Sequence, residues 1–260
     1  MNIYTLYFLA GSLGGFFGGL LGLGGGIIFV PFLFFIFNQY GIHSSHIMQS
    51  AICTSLACIV ISSLSSTYKH NKNKLIDWDL FKKMFLGLAI GSICGIIIIS
   101  YLPSDDLKLY YGLFLIFISL YILFSNEKSM IKKEFQFTRL FSFFAGSLSS
   151  ILGIGGGTIT TPYFKFFGKS IKESIATAAA CGIPIAIFGV IASILLNLKL
   201  GILKNEVLGF IHIESFIIIS ITSVFFSYLG ATTTYLANSF FVKLIFSAVV
   251  LILGVTIIFF

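Results

Sequence analysis

Two ten-residue stretches, each with three consecutive glycines, have the residue types that bind a small anion. They read GLGGGIIFVP at 22–31 and GIGGGTITTP at 153–162, with six identical positions. Three adjacent glycines unwind a helix, expose backbone N–H groups and let a ligand approach the chain closely. A helix that starts directly after them presents unpaired N–H groups and the positive end of its dipole. We therefore predict that the substrate is bound by Gly24, Gly25, Gly26, Gly155, Gly156 and Gly157.

Hydroxyl side chains inside two other apolar segments are the second group of candidate ligands. Thr54 and Ser55 in the first half of the chain match Thr177 in the second half. Such hydroxyls often donate to the carbonyl four residues earlier in their own helix, and this structural role is the alternative to binding. Gln49 and Cys53 lie within about 1.5 helical turns of Thr54. We expect both to line the same space.

Glycine and proline around each triplet predict where the helices break and bend. The hinge candidates are Gly22, Pro31, Gly153, Pro162 and Pro184. The two prolines that follow the triplets are expected early in the next helix, where a missing N–H is tolerated best. The third proline is expected to kink its segment.

Helix packing and nucleotide binding are alternative explanations of the glycines. Spacings of three or four residues, typical of close helix packing, relate Gly11, Gly15, Gly18, Gly19 and Gly22. Packing alone does not require three adjacent glycines, because they face three directions around a helix. Neither triplet is followed by the GK[ST] of a P-loop, and the flanks are membrane segments rather than a βαβ unit.

The composition indicates an integral membrane protein. The chain of 260 residues is 57% hydrophobic and 10% charged, with a mean hydropathy of +1.05. Soluble domains carry about 25% charged residues. The net charge of +7 arises mainly in short loops, as the positive-inside rule describes, so it does not indicate a nucleic-acid partner. No ionisable cluster has metal-ligand spacing and no nucleophile–base pair is evident, so we expect no metal, no cofactor and no enzymatic activity.

Short apolar runs beside the triplets predict half-helices. The runs at 27–37, 139–153 and 158–167 are too short to cross a bilayer alone, because a helical span needs about 20 residues. Irregular backbone at membrane depth must be buried in protein or line a watery cavity. The other apolar runs are long enough to span, so the expected fold is an all-α integral membrane protein.

Self-similarity predicts two homologous repeats. Residues 11–31 align with 142–162, and 77–123 align with 212–258. Each repeat of about 130 residues would hold one glycine-broken pair and three long transmembrane helices, and repeats that meet at a shared site are common in transporters. The predicted boundaries are repeat 1 at 1–124, a linker at 125–138 and repeat 2 at 139–260.

The basic residues predict the topology. The loops at 69–83 and 125–139 carry nine of the 16 Lys and Arg and are expected in the cytoplasm. Re-entrant half-helix pairs would place 13 basic residues inside and 3 outside, whereas crossing pairs would place 11 and 5. Re-entry also inverts repeat 2 relative to repeat 1, and alternating access follows from that arrangement most simply. We therefore favour inversion.

Several motifs in order resemble the TauE/SafE family of sulfite exporters. They are GGLLGLGGGIIFVPFL at 18–33, TSLACIVISSLSSTYKHNKNKLIDW at 54–78, GIGGGTITTP at 153–162 and IATAAACGIPIA at 175–186. The resemblance covers nearly the whole chain. It implies transport of sulfite, sulfonates or sulfoacetate, mostly outward across the bacterial inner membrane. The chain departs from the family's pattern at Cys53 and Ala176, where glycine or another small residue is expected before Thr, and at Ala178, which replaces the serine found as Ser55.

The expected function is a secondary transporter of a small sulfur oxyanion or organosulfonate in the bacterial inner (plasma) membrane. Its two repeats would rock about a midplane site, with the lipid bilayer as surroundings and a homodimer left open as the assembly. One alternative is a proton- or sodium-coupled importer of the same anions, with Glu214 or broken-helix carbonyls binding the cation. The other is a membrane accessory protein for a metal or cofactor, against which the lack of paired Cys or His at membrane depth argues.

Overall fold

Ten α-helices and one short β-hairpin form the described part of the chain. The computed structural model describes residues 2–42, 46–124, 138–200, 207–234 and 239–259. The helices are α1 Ile3–Leu21, α2 Gly26–Gln39, α3 Ile47–Lys72, α4 Trp78–Tyr101, α5 Ser104–Phe124, α6 Thr138–Ile151, α7 Gly157–Phe166, α8 Ile171–Leu200, α9 Ile213–Thr233 and α10 Ser239–Phe259. The strands are β1 Val207–Leu208 and β2 Ile211–His212.

Length and surface both fit a membrane protein. Among the described helices, α1, α3, α4, α5, α8 and α9 are long and apolar enough to span a bilayer. Large apolar side chains cover the outer surface: Leu86, Phe117 and Ile221 are 69%, 65% and 69% exposed. Soluble monomers rarely expose contiguous apolar surface of this kind. The prediction of an all-α integral membrane protein is confirmed.

Small residues bring helices into backbone contact, as the glycine spacing predicts. A Cβ at Gly11, Gly15 or Gly19 of α1 would collide with backbone or side-chain atoms of α9. The glycines of α4 meet α6 in the same way; they are Gly87, Gly91 and Gly95. Gly18 lies against Gly25, and Gly22 against Ile175 of α8. Each of the five glycines predicted to pack therefore lies at a close contact.

The helix pairs recur with the two halves exchanged. Helix α1 packs along α9, and α6 packs along α4. Helix α3 contacts α9 while α8 contacts α4, and the pairs α3–α8 and α5–α10 join the halves directly. This pattern is the one expected if a two-fold relation connects α1–α5 with α6–α10. The repeat boundaries and the inversion stay predictions, and residues 125–137 of the predicted linker lie outside the described residues.

Residues 207–212 form a short β-hairpin directly before α9. Strands β1 and β2 pair antiparallel, with Gly209 and Phe210 as the two-residue turn. Such turns favour glycine at the first central position, and Gly209 has φ 75°. The side chain of Asn197 in α8 donates to the Gly209 carbonyl at 2.9 Å, so the hairpin is held against α8. Helix α9 therefore begins only at Ile213.

Candidate functional site at two glycine breaks

The first triplet interrupts a helix. Helix α1 ends at Leu21, and the amide of Gly22 donates to the Gly18 carbonyl as its cap. Gly22, Gly24 and Gly25 have φ values of 68°, 73° and 88°. Side chains rarely adopt this left-handed region, so glycine is required at all three positions. Helix α2 then begins at Gly26, directly after the break.

The second triplet makes a break of a different shape. Helix α6 ends at Ile151 and α7 begins at Gly157, and Gly153 has φ 61°. Gly156, however, has φ −55°, whereas its counterpart Gly25 has φ 88°. Helices of 14 and 10 residues are about 21 and 15 Å long, which is shorter than a bilayer core. One sequence motif therefore adopts two backbone conformations in the two halves.

The two breaks lie in direct contact with each other. A Cβ at Gly26 would overlap with the Gly153 carbonyl oxygen, and a Cβ at Gly157 would overlap with that of Gly22. A Cβ at Gly24 would lie 3.3 Å from the Gly155 Cα. The chain therefore needs glycine here for close approach as well as for conformation. We call the contact of 22–26 with 153–157 the glycine crossing.

Hydroxyl groups satisfy carbonyl oxygens of the glycine crossing. The donor–acceptor pairs are Ser62 to Gly24 at 2.7 Å, Tyr111 to Gly26 at 3.3 Å, Ser55 to Gly153 at 2.8 Å and Thr160 to Gly156 at 2.9 Å. The Gly25 carbonyl accepts from the amides of Ile28 and Phe29 in the first turn of α2. These acceptors are thus engaged within the protein.

The amides of the same glycines have no such partners. Among the described residues, no hydrogen-bond acceptor is found for the N–H groups of Gly24, Gly25, Gly26, Gly155, Gly156 and Gly157. Buried backbone donors are almost always paired, and each unpaired one costs about 1–3 kcal/mol. The first turns of α2 and α7 carry no acidic side chain that would balance their positive dipole ends. The glycine crossing therefore has an excess of donors, which suits an anion.

Thr54 and Thr177 each hold the start of another helix. The Thr54 hydroxyl accepts from the His212 amide at 3.0 Å, and the Thr177 hydroxyl accepts from the Asp77 amide at 3.0 Å. His212 and Asp77 are the N-cap residues of α9 and α4. The first contact joins α3 to the start of α9, and the second joins α8 to the start of α4, so the two contacts correspond when the halves are exchanged. A binding role for the two threonines stays a prediction; Ser55, by contrast, contacts the glycine crossing directly.

The hydrogen bonds of Gln49 lead away from the glycine crossing, and Cys53 lies in the apolar core. The Gln49 amide group donates to the Leu102 carbonyl at 2.7 Å and accepts from the Ser104 hydroxyl at 2.6 Å. It joins α3 to the turn between α4 and α5, roughly 9 Å along the helix from Ser55. Cys53 is fully buried in the apolar core. A role for either side chain in binding stays a prediction.

The prolines lie deeper in their helices than the sequence predicts. Pro31 and Pro162 are each the sixth residue of their helix, beyond the first turn. Their missing N–H groups therefore remove a bond from the helix ladder instead of sparing an unpaired donor. Pro184 lies inside α8, which runs without interruption from Ile171 to Leu200. The neighbouring Ile185 carbonyl accepts from the Ser92 hydroxyl at 2.6 Å, which joins α8 to α4.

Sequence reasoning missed two residues beside the glycine crossing. Ser63 of α3 is fully buried, and its hydroxyl lies next to Gly24 and to Gly182 of α8. The signals in the sequence were the run SSLSS at 62–66 and the glycine of IATAAACGIPIA at 175–186, both in motifs that resemble the family. Which of the four serines of SSLSS meets the breaks depends on the rotation of α3, which a local pattern does not specify.

Comparison with known proteins agrees with this architecture. The family model for the sulfite exporter TauE/SafE matches residues 7–257. A probable membrane transporter protein of Haemophilus influenzae is 30% identical over 234 residues, 88% of each chain. A similarly named protein of Methanocaldococcus jannaschii is 27% identical over 256 residues, 97% of this chain and 94% of its own. No solved structure matches.

Fold, breaks and relatives together define a multi-pass membrane transporter of the plasma membrane, and not an enzyme. The family model spans nearly the whole chain, and the relatives are named as transporters over most of its length. The chain belongs to the sulfite exporter TauE/SafE family.

Proposed function

We propose that the protein is a secondary transporter that exports a small sulfur-containing anion, sulfite or a short organosulfonate, bound at the glycine crossing. The observation that carries the proposal is the set of six glycine amides without acceptors among the described residues. Backbone N–H groups at two helix amino termini are a recurrent oxyanion site. The family's description supplies the sulfur chemistry of the substrate.

The hydrogen bonds at the glycine crossing favour an anion over a coupling cation as its ligand. A sodium ion would need the carbonyl oxygens of the breaks, and those of Gly24, Gly26 and Gly153 each already use one of two lone pairs to accept a bond from a hydroxyl group. Glu214, the candidate carboxylate, is exposed in the first turn of α9. Export also requires no coupling ion, because an inside-negative potential drives each negative charge outward with about 2.3 kcal/mol per 100 mV.

The direct contact of the two breaks represents a closed arrangement. For an anion to reach the amides, the backbones at Gly22–Gly26 and 153–157 must separate. The two breaks already differ in conformation at Gly25 and Gly156. Rocking of the halves that exchanges these conformations would open the site to alternate sides, as in transporters built from repeats.

The decisive experiment is anion efflux from proteoliposomes with and without an imposed potential. The probes are sulfite, methanesulfonate and sulfoacetate, with chloride as the reference anion. We expect potential-driven efflux of at least one sulfur anion. Gly156→Ala should lower that efflux about tenfold, because its methyl group would stand beside the donors of the site; tenfold corresponds to about 1.4 kcal/mol.

Gly156 is the appropriate position because its φ of −55° tolerates a side chain. The nearest atom to its new Cβ would be Ile185 Cδ1 at 2.8 Å, the end of a flexible side chain. Gly189→Ala in α8 is the matched control, since its new Cβ would lie 3.0 Å from Leu56 Cδ1 and from the Ser92 hydroxyl, away from the breaks. If folded wild-type protein moves none of the three sulfur anions, the proposal is wrong.

A further inference from the structure

Ser63 of α3 carries a buried hydroxyl without a hydrogen-bond partner among the described residues. Serines in membrane helices usually donate to the carbonyl three or four residues earlier. The neighbours Ser62 and Ser66 have partners: Ser62 donates to Gly24, and Ser66 donates to the Ser63 carbonyl. An unpaired buried hydroxyl is destabilising and calls for an explanation.

The Ser63 hydroxyl is directed at the glycine crossing. A Cβ at Gly24 would lie 3.1 Å from this oxygen. A Cβ at Gly182 would lie 2.9 Å from it and 3.8 Å from the Gly156 nitrogen. The point in front of Gly182 is therefore within reach of both the hydroxyl and an amide that has no acceptor among the described residues.

The two halves differ at this position. If the alignment of Thr54 with Thr177 is continued along α3 and α8, Ser63 corresponds to Ala186, and Gly182 corresponds to Ile59. The Ile59 side chain occupies the space next to Gly24, since a Cβ at Gly24 would lie 3.0 Å from Ile59 Cγ2. The side formed by Ser63 and Gly182 therefore has a hydroxyl donor and the space of an absent side chain. The corresponding pair, Ala186 and Ile59, has neither.

We propose, on the basis of the function proposed above, that the Ser63 hydroxyl donates to the transported anion and that Gly182 provides the room for one of its oxygens. The hydroxyl joins the Gly156 amide, so one oxyanion oxygen meets two uncharged donors. A compact oxyanion with several acceptor oxygens fits this pair. The same helix face carries a second such hydroxyl one turn later, on Thr67, toward the basic end of α3.

The test is Ser63→Ala in the proteoliposome assay, together with its thermal unfolding in detergent. Removing a hydroxyl that has no partner should leave the melting temperature unchanged or higher. Loss of a hydrogen bond to a charged ligand should raise the KM for the transported sulfur anion about tenfold or more. Gly182→Ala should act in the same direction, because its methyl group would occupy the space in front of the hydroxyl.

Ser66→Ala and Gly189→Ala are the matched controls, and both should keep the wild-type KM. An unchanged KM in Ser63→Ala, measured on active protein, would overturn this inference alone. A large fall in the melting temperature of Ser63→Ala would also overturn it, because the hydroxyl would then have a structural partner. Failure of the proposed function is distinguishable, since wild-type protein would then move none of the sulfur probes.

Discussion

At the scale of single residues, the glycines of one motif serve different needs. Gly25 requires its left-handed conformation, with φ 88°, and a Cβ there would also lie 2.5 Å from the Gly14 carbonyl oxygen. Gly156 has an ordinary helical φ of −55° and faces a flexible side chain. The triplets are identical in sequence, so only their surroundings distinguish these roles.

We expect Gly25→Ala to destabilise the protein far more than Gly156→Ala. A left-handed conformation costs a non-glycine residue roughly 1–2 kcal/mol, and the steric overlap with Gly14 adds to it. Thermal unfolding of both variants in the same detergent checks this difference. Equal losses of stability would show that the break changes its conformation to accommodate alanine.

At the scale of the elements, the starts of α4 and α9 are held by hydroxyls from the opposite half. Thr177 of α8 holds the Asp77 amide, and Thr54 of α3 holds the His212 amide. The His212 ring then accepts from the Ser215 amide at 3.3 Å and so caps α9. A threonine in each long helix thus fixes where a neighbouring helix begins.

Replacing these threonines with valine should cost stability. Valine keeps the shape but removes the acceptor, and a buried amide left unpaired costs about 1–3 kcal/mol. Thr54→Val should cost more, because its hydrogen bond is fully buried whereas that of Thr177 is partly buried. Thermal unfolding in detergent measures the loss of stability. The KM for sulfite distinguishes a structural role of the threonines from a binding role, because a raised KM in folded protein would support binding.

At the scale of the whole molecule, an ion pair joins the two halves outside the helices. Lys169, in the loop before α8, contacts Asp77 at 2.6 Å. Partial burial raises the pKa of the Asp77 carboxyl, but the hydrogen bonds from Lys169 and from the backbone amides of Leu80 and Asp79, together with the charge of Lys169, outweigh it and leave the pKa below its ordinary value of 3.8. The charged carboxylate therefore stabilises this connection between the halves.

This ion pair predicts a pH dependence of stability. Because the pKa of Asp77 is lowered in the folded protein, its contribution is present above pH 3.8 and is lost as the pH falls toward the lowered pKa. Wild-type protein should exceed Asp77→Asn in melting temperature at pH 7, and the difference should shrink below about pH 4. Parallel curves for the two proteins across this range would contradict the role of the pair.

The sequence predicted the features that depend on local chemistry. Composition and run length indicate a membrane protein because an apolar surface has no other stable surroundings. The triplets predict breaks because no other residue takes their conformations, and the glycines of α1 predict packing because their spacing forms one helix face. The predicted starts of the two short helices, 27 and 158, lie one residue after the observed ones, so Pro31 and Pro162 come early in their helices but past the first turn.

Only the tertiary structure decided which groups meet at the site. Ser63 faces the glycine crossing because the rotation of α3 is set by its contacts with α8 and α9. The hairpin at 207–212 likewise depends on Asn197 of another element. The amide excess arises because two breaks, distant in sequence, are pressed together by helices that pack across the halves. The conformation at a glycine is a local property, whereas the partner of a buried hydrogen bond is determined by the packing of the whole fold.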